Sequence, residues 1–228
     1  MNENRDNELR TQQLEFFGRI LAGFTHDLKN HLAIIKESNG LISDMIAMGW
    51  VTDEAVAAKL EKIVTSIQGR VGQATDLANN LNSFAHRLDT PLSSFQVNTL
   101  LEEELIFLRR FARLKEIDLK IKLHENLPAI YNYPSLVQYV FFKLFAMALR
   151  KLKNRAGMEI ASGEEEGCVK ITISLLGEKE QFTTLIDDES AAAMQEALAR
   201  MQANVNDLSQ ARDEKKIIGL LIPSLNKT

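Results

Sequence analysis

From Leu14 to Ile46 apolar side chains recur at Phe17, Leu21, Phe24, Leu28, Ile35 and Ile42. These steps of three, four and seven residues share one face of an α-helix, because each residue turns the chain by about 100°. A second run reaches about Leu88, with Val56, Leu60, Ile63, Ile67, Val71, Ala74, Leu77, Leu81 and Phe84 at similar steps. Between the runs, Gly49 suits a helix C-terminus, Thr52 can cap the next helix, and Asp53 and Glu54 suit its positive first turn. The pattern predicts a long antiparallel helical hairpin. Each helix carries only one apolar stripe, so pairing with a second copy as a four-helix bundle is the expected way to cover both. The prediction is a homodimer.

Asp89-Thr90-Pro91 ends this pattern, since proline disfavours a continuing helix. It divides the chain into residues 1–90 and 91–228. In the second part a helix is expected over Asn98–Lys115, capped by Asn98, and Ile117–Leu123 alternates apolar and polar residues as a half-buried strand does. A further helix opens at Pro134 and runs to about Asn154. Strands are predicted at Gly157–Ser162, Val169–Leu175, Phe182–Ile186 and Lys216–Ile222, with Gly163–Gly167 as a turn and a helix over Glu189–Gln202. Helices mixed with an antiparallel-looking sheet indicate the α+β class, with the helices on one face of a sandwich.

Composition narrows the functional classes. The chain has 228 residues, 45% of them apolar, which is ample for a core. A net charge of −4 and no basic stripe argue against nucleic acid as a partner. Cys168 is the sole cysteine, so no internal disulfide exists and the cytoplasm is the simplest compartment. Met1–Thr11 lacks the basic start and apolar block of a signal peptide. Tyr139–Leu149, the most apolar stretch, is about half the roughly 20 residues of a membrane helix. No membrane anchor is expected, and the start at Met1 favours a stand-alone protein over a fragment.

Candidate chemistry centres on Phe24–Ile35, FTHDLKNHLAII. His26 falls about 200° from the seam residues Phe24 and Leu28, hence on the outer face, and Asn30 lies one turn further along the same patch. Asp27 follows the histidine directly. Alone, an exposed histidine is ordinarily a solvated residue. Here, however, histidine, acid, two residues and asparagine on a long helix resemble the phosphoacceptor box of dimerising histidine kinases. The resemblance implies that His26 carries a phosphoryl group, Asp27 aids transfer by accepting a proton, and Asn30 positions water for dephosphorylating a partner.

These residue types suit that chemistry. A neutral imidazole is nucleophilic near pH 7, and an acid on its other nitrogen fixes the tautomer and stabilises the positive charge that develops. Around the same face lie the small residues Ala22, Gly23 and Ala33, which would admit a partner closely or are ordinary helix composition. Arg19 and Lys29, either side, would attract an acidic phosphorylated site or merely solvate the helix. His31 falls toward the seam, and His86 and His124 have no motif around them. No cluster has metal-ligand spacing, so no structural metal is expected.

The resemblance extends through the second domain, but its nucleotide motifs depart from the family. Asn126–Leu149 is similar to the kinase helix that carries magnesium-binding asparagines, with Leu136 and Gln138 in place. Phe142 and Ala146 stand at the asparagine positions, and neither side chain has an oxygen to ligate a hard cation. Where the family has an Asp-x-Gly-x-Gly adenine turn, this chain has Ser174-Leu175-Leu176-Gly177-Glu178, and the glycine-rich lid has no counterpart. The architecture is therefore similar to that of histidine phosphotransferases: a dimeric phosphoacceptor hairpin followed by a degenerate kinase-type α/β sandwich. That resemblance implies relay of phosphate between receiver aspartates through His26, with magnesium on the receiver domain and no cofactor on this chain. A response-regulator phosphatase dependent on Asn30, a receiver-binding module without catalysis, and an ATP-dependent kinase are the alternatives, the last being the least favoured.

Overall fold

The computed structural model describes residues 2–50, 54–87, 91–176, 188–208 and 215–225. Two compact units make up the chain: Leu21–Ser83, and Met1–Ile20 together with Phe84–Thr228.

Helix α1 spans Asn2–Ala47 and α2 spans Glu54–His86. The polar first residues thus belong to the helix, which begins well before Leu14. At its end Gly49 takes φ 68° and its N–H donates to the Ile46 carbonyl at 3.0 Å. Only glycine adopts that conformation without steric cost, so the helix stops there. Thr52, Asp53 and Leu88 lie outside the described residues. Within Leu21–Ser83, Met45 and Leu77 are buried, and Phe24, Leu28, Ile35, Ile42, Ile63 and Ile67 are half-buried. Leu21 and Val71, expected on the seam, are 50% and 49% exposed, because they sit on its flank.

The remaining elements are β1 (Ser93–Phe95), α3 (Val97–Leu114), β2 (Asp118–Lys122), β3 (Ile130–Asn132), α4 (Pro134–Lys151), β4 (Gly157–Glu165), β5 (Cys168–Leu176), α5 (Asp188–Met201), β6 (Asn204–Asp207) and β7 (Lys215–Ile222). A five-stranded sheet runs β2-β4-β5-β7-β6, and β1 pairs with β3 separately. The large sheet is mixed, not purely antiparallel: β2 and β4 are parallel, as the intervening helix α4 requires of a crossover. The expected five-residue turn after β4 shrinks to Glu166 and Gly167, both with positive φ (52° and 77°). That is the two-residue hairpin geometry, and Gly163–Glu165 continue the strand against Cys168–Lys170. The strand expected at Phe182–Ile186 lies outside the described residues.

Alternation makes the core. Val169, Ile171, Ile173 and Leu175 of β5 are at most 1% exposed, as are Met158 and Ile160 of β4 and Ile218, Leu220 and Ile222 of β7. Helices α3, α4 and α5 cover that face with Leu101, Leu105, Val137, Phe141, Ala193 and Met194, all buried.

The start of α1 completes this unit. Leu9, Phe16 and Ile20 are each 1% exposed. The Phe16 ring lies 4.6 Å from Phe142 and 5.5 Å from Phe84 between centroids. Asp6 pairs with Arg200, whose hydrogen bond holds the carboxyl below its usual range. Lys143 donates to the Gln12 amide oxygen.

Asn98 is not the cap of α3. Gln96 holds that position without a side-chain bond. Asn98 instead donates to the His124 carbonyl at 2.7 Å and accepts from Ser162 Oγ at 2.8 Å, joining α3 to the ends of β2 and β4. The longer-range partners satisfy its amide more fully than one backbone N–H would.

Candidate functional site

His26, Asp27 and Asn30 come together on α1. The His26 side chain is 53% exposed and that of Asp27 26%. Asp27 Oδ1 and Asn30 Nδ2 each lie 3.2 Å from the same atom, His26 Nδ1. An imidazole nitrogen offers one proton or one lone pair in its plane. With the proton on Nδ1 it is donated to the Asp27 carboxylate, and a half-turn of the Asn30 amide brings its Oδ1 toward that same proton. Nε2 then keeps its lone pair, and no described residue bonds it. In that tautomer the outward nitrogen has the lone pair a nucleophile needs.

Around the histidine, Ala22, Lys29 and Ala33 are exposed, so a partner can reach them. Gly23 is buried. It has no side chain to project, and neighbours cover its backbone, so it offers a partner little surface. Arg19 is exposed but belongs to the other unit, where it lines a cleft with α3 and α4. His31 is half-buried, and its Nδ1 is enclosed without a hydrogen-bond partner among the described residues. His124 Nδ1 accepts the Asn126 N–H at 3.3 Å, a local structural bond. Among the described residues no group of three or more histidine, cysteine or acidic side chains is placed to hold a metal ion, and no helix is long and apolar enough to cross a membrane.

In the second unit, Phe142 is 4% exposed beneath Phe16, and Ala146 is half-buried one turn further along α4. Neither supplies an oxygen for a cation. Ser174, Leu175 and Leu176 close β5. Gly177, Glu178 and the position of the lid lie outside the described residues. The burial of two polar side chains gave no sequence signal. Glu104 and Gln138 are both 0% exposed, and their side-chain polar atoms have no hydrogen-bond partner among the described residues. Burial pushes the Glu104 carboxyl well above its usual range.

No family profile matches the chain. In sequence it is 22% identical over 170 residues to the sensor histidine kinase ZraS of Escherichia coli K12, covering 75% of this chain and 35% of the relative. The same identity and coverage hold for ZraS of Escherichia coli O157:H7. The chain thus spans about a third of the length of these curated relatives. In fold it resembles the Acinetobacter baumannii histidine kinase AdeS, with a TM-score of 0.50 at 13% identity, over 88% of this chain and 98% of that one. The histidine kinase ThkA in complex with the response regulator TrrA aligns at a TM-score of 0.48 and 16% identity, over 98% of this chain and 66% of that one. The helical N-terminal region followed by an α/β sandwich is the fold expected from the sequence, and in sequence the chain is similar to the sensor histidine kinase ZraS.

Proposed function

We propose that this chain is a histidine phosphotransferase of a two-component phosphorelay, working in the cytoplasm as a homodimer. The hairpin of Leu21–Ser83 is its dimerising, phosphate-accepting part, and the unit of Met1–Ile20 with Phe84–Thr228 is a kinase-type domain that does not use ATP. The observation that carries the reading is the orientation of His26: Asp27 and Asn30 both engage Nδ1, which leaves Nε2 on an exposed helix face.

In the proposed step the Nε2 lone pair attacks the phosphorus of a receiver's aspartyl phosphate. The N–P bond forms, the P–O bond to the aspartate breaks, and the carboxylate leaves. Positive charge developing on the ring is offset by Asp27 through the Nδ1 proton. Magnesium held by the receiver would supply the charge that neutralises the phosphoryl oxygens, leaving positioning as the main task of this chain. Ala22, Lys29 and Ala33 border the patch the receiver would cover. Replacement of the asparagine positions by Phe142 and Ala146, with Phe142 buried under Phe16, supports a phosphate source other than ATP.

The homodimer is supported by an uncovered apolar stripe. Leu21, Leu32 and Ile46 are 50%, 53% and 60% exposed, and all three lie within about 40° of one another on the face away from His26. On α2, Val64 and Val71 are 44% and 49% exposed, seven residues apart. A second copy would cover both.

Incubation with a phosphorylated receiver tests the function. Wild type should take up acid-labile phosphate and His26→Ala should not. A wild type that takes no label from any receiver of the same cell sinks the relay. A second reading, a phosphatase of the response regulator, is favoured by the placement of the exposed Asn30 amide beside the histidine.

A further inference from the structure

Within Leu21–Ser83, Met45 is buried two residues before α1 ends, and Val56 is half-buried two residues after α2 begins. Successive steps of seven residues away from that pair, at an equal rise along two antiparallel helices, bring Ser38 level with Ile63, His31 with Arg70 and Phe24 with Leu77. All of these side chains are at least half-buried. The seam thus holds one layer with a cation, His31 and Arg70, next to the half-buried apolar residues Leu28 and Ile35.

Asp27 lies one turn before His31 and about 40° to one side of it, and Gln73 lies about 60° round α2 from Arg70. Because the helices run in opposite directions, both rotations lead to the same flank of the seam, the flank that carries His26. The Arg70 side chain is drawn to that flank, where Nη1 donates to Gln73 Oε1 at 3.1 Å. Gln73 stands level with Leu28, the neighbour of Asp27, so the guanidinium lies near the height of the Asp27 carboxylate. The Gln73 amide is neutral and leaves the guanidinium charge uncancelled. His31 Nδ1, in the same layer as Arg70, is enclosed without a hydrogen-bond partner among the described residues.

We propose that Arg70 is a positioning residue for the phosphoacceptor box: its guanidinium donates to the Asp27 carboxylate and to His31 Nδ1, and so holds Asp27 in the orientation that bonds His26 Nδ1. The proposal rests on the reading of His26 as a phosphate acceptor. A guanidinium has five donors in a rigid fork, enough for both acceptors, and a carboxylate can accept from the imidazole and the guanidinium together. The charge of Arg70 then meets an opposite charge in the seam, and an orphaned nitrogen gains a donor. His26, Asp27 and Asn30 all lie on α1, so Arg70 is the contribution of α2 to the site. It acts on the reaction only through Asp27.

Labelling of the full chain by a phosphorylated receiver tests the assignment. Arg70→Gln should slow uptake by about tenfold with receiver affinity unchanged, and Arg70→Lys, which keeps the charge, should come back to within about threefold of wild type. In an Asp27→Ala background, Arg70→Gln should slow uptake by no more than about twofold further, because its route to His26 is already gone. Tenfold slowing in that background too, or uptake by Arg70→Gln within about twofold of wild type, would overturn the proposal. Urea unfolding reads the contact without any transfer step. The variant carrying both Asp27→Ala and Arg70→Gln should unfold at the midpoint of the less stable single variant, and additive shifts would also overturn the proposal. A wild type that takes no label yet shows this non-additivity ends the relay reading and leaves the contact between Arg70 and Asp27 standing.

Discussion

Asp27 holds the Nδ1 side of His26 at 3.2 Å from a position only 26% exposed, while the imidazole itself stands 53% in solvent. The acid is the more enclosed of the two and the ring is open to solvent, which suits the proposed nucleophile. Asp27→Asn keeps the shape but removes the charge that offsets a developing imidazolium. Uptake of label from a phosphorylated receiver should slow by about a hundredfold or more. A rate within about twofold of wild type would remove Asp27 from the chemistry.

Asn30 separates the two readings of the site. Its amide lies against Nδ1, not Nε2, so Asn30→Ala should leave labelling of His26 within about threefold of wild type. If the chain is a phosphatase, the same variant should slow loss of phosphate from the receiver without weakening receiver binding. Measuring both rates on one preparation decides between them.

Leu32 is 53% exposed on the uncovered stripe of α1. Placing a carboxylate in an apolar helix seam costs several kcal/mol on the order of an unpaired buried charge. Leu32→Glu should therefore shift the chain from dimer to monomer in sedimentation velocity at micromolar concentration, with little loss of helical signal. A monomeric wild type would end the dimer proposal.

Glu104 couples stability to pH. Its side chain is 0% exposed and without a hydrogen bond among the described residues, and burial raises its pKa well above the ordinary value. Below the ordinary carboxyl range of about 4.3 both folded and unfolded chains hold the proton, and the contribution of Glu104 is most favourable. Above it the unfolded chain ionises first, so stability falls with rising pH until the folded carboxyl also releases its proton. Urea unfolding of Glu104→Gln should show a flatter pH profile than wild type between pH 5 and 8, on the order of the linkage for one proton. Glu104→Leu should raise stability at pH 7 by about 1–3 kcal/mol, the usual penalty of an unsatisfied buried polar group. Identical pH profiles would show that Glu104 finds a partner in solution.

The sequence makes some of this legible for physical reasons. His26, Asp27 and Asn30 lie within one turn and a fraction of a single helix, so residue spacing alone brings them together. The alternation of Val169, Ile171, Ile173 and Leu175 marks β5 because one face is buried and the other is not. By contrast β1 and β3 have three residues each and β6 has four, too few for a period to appear. The buried role of Leu9 is hidden among its polar neighbours in the sequence. The cleft is invisible because Arg19, Lys115 and Arg150 are distant in sequence and meet only through packing.

That packing has a consequence for how the chain matures. Asn132 Nδ2 donates to the carbonyls of Met201 at 3.1 Å and Pro223 at 2.8 Å, and the Leu225 N–H donates to the Tyr131 carbonyl at 2.8 Å. The unit that shelters Leu9, Phe16 and Ile20 is thus closed by residues about 200 positions further along the chain. At roughly 5–20 residues per second of synthesis, those three side chains wait on the order of tens of seconds for that cover. The hairpin of Leu21–Ser83 is complete much sooner, because its two helices follow one another directly in sequence.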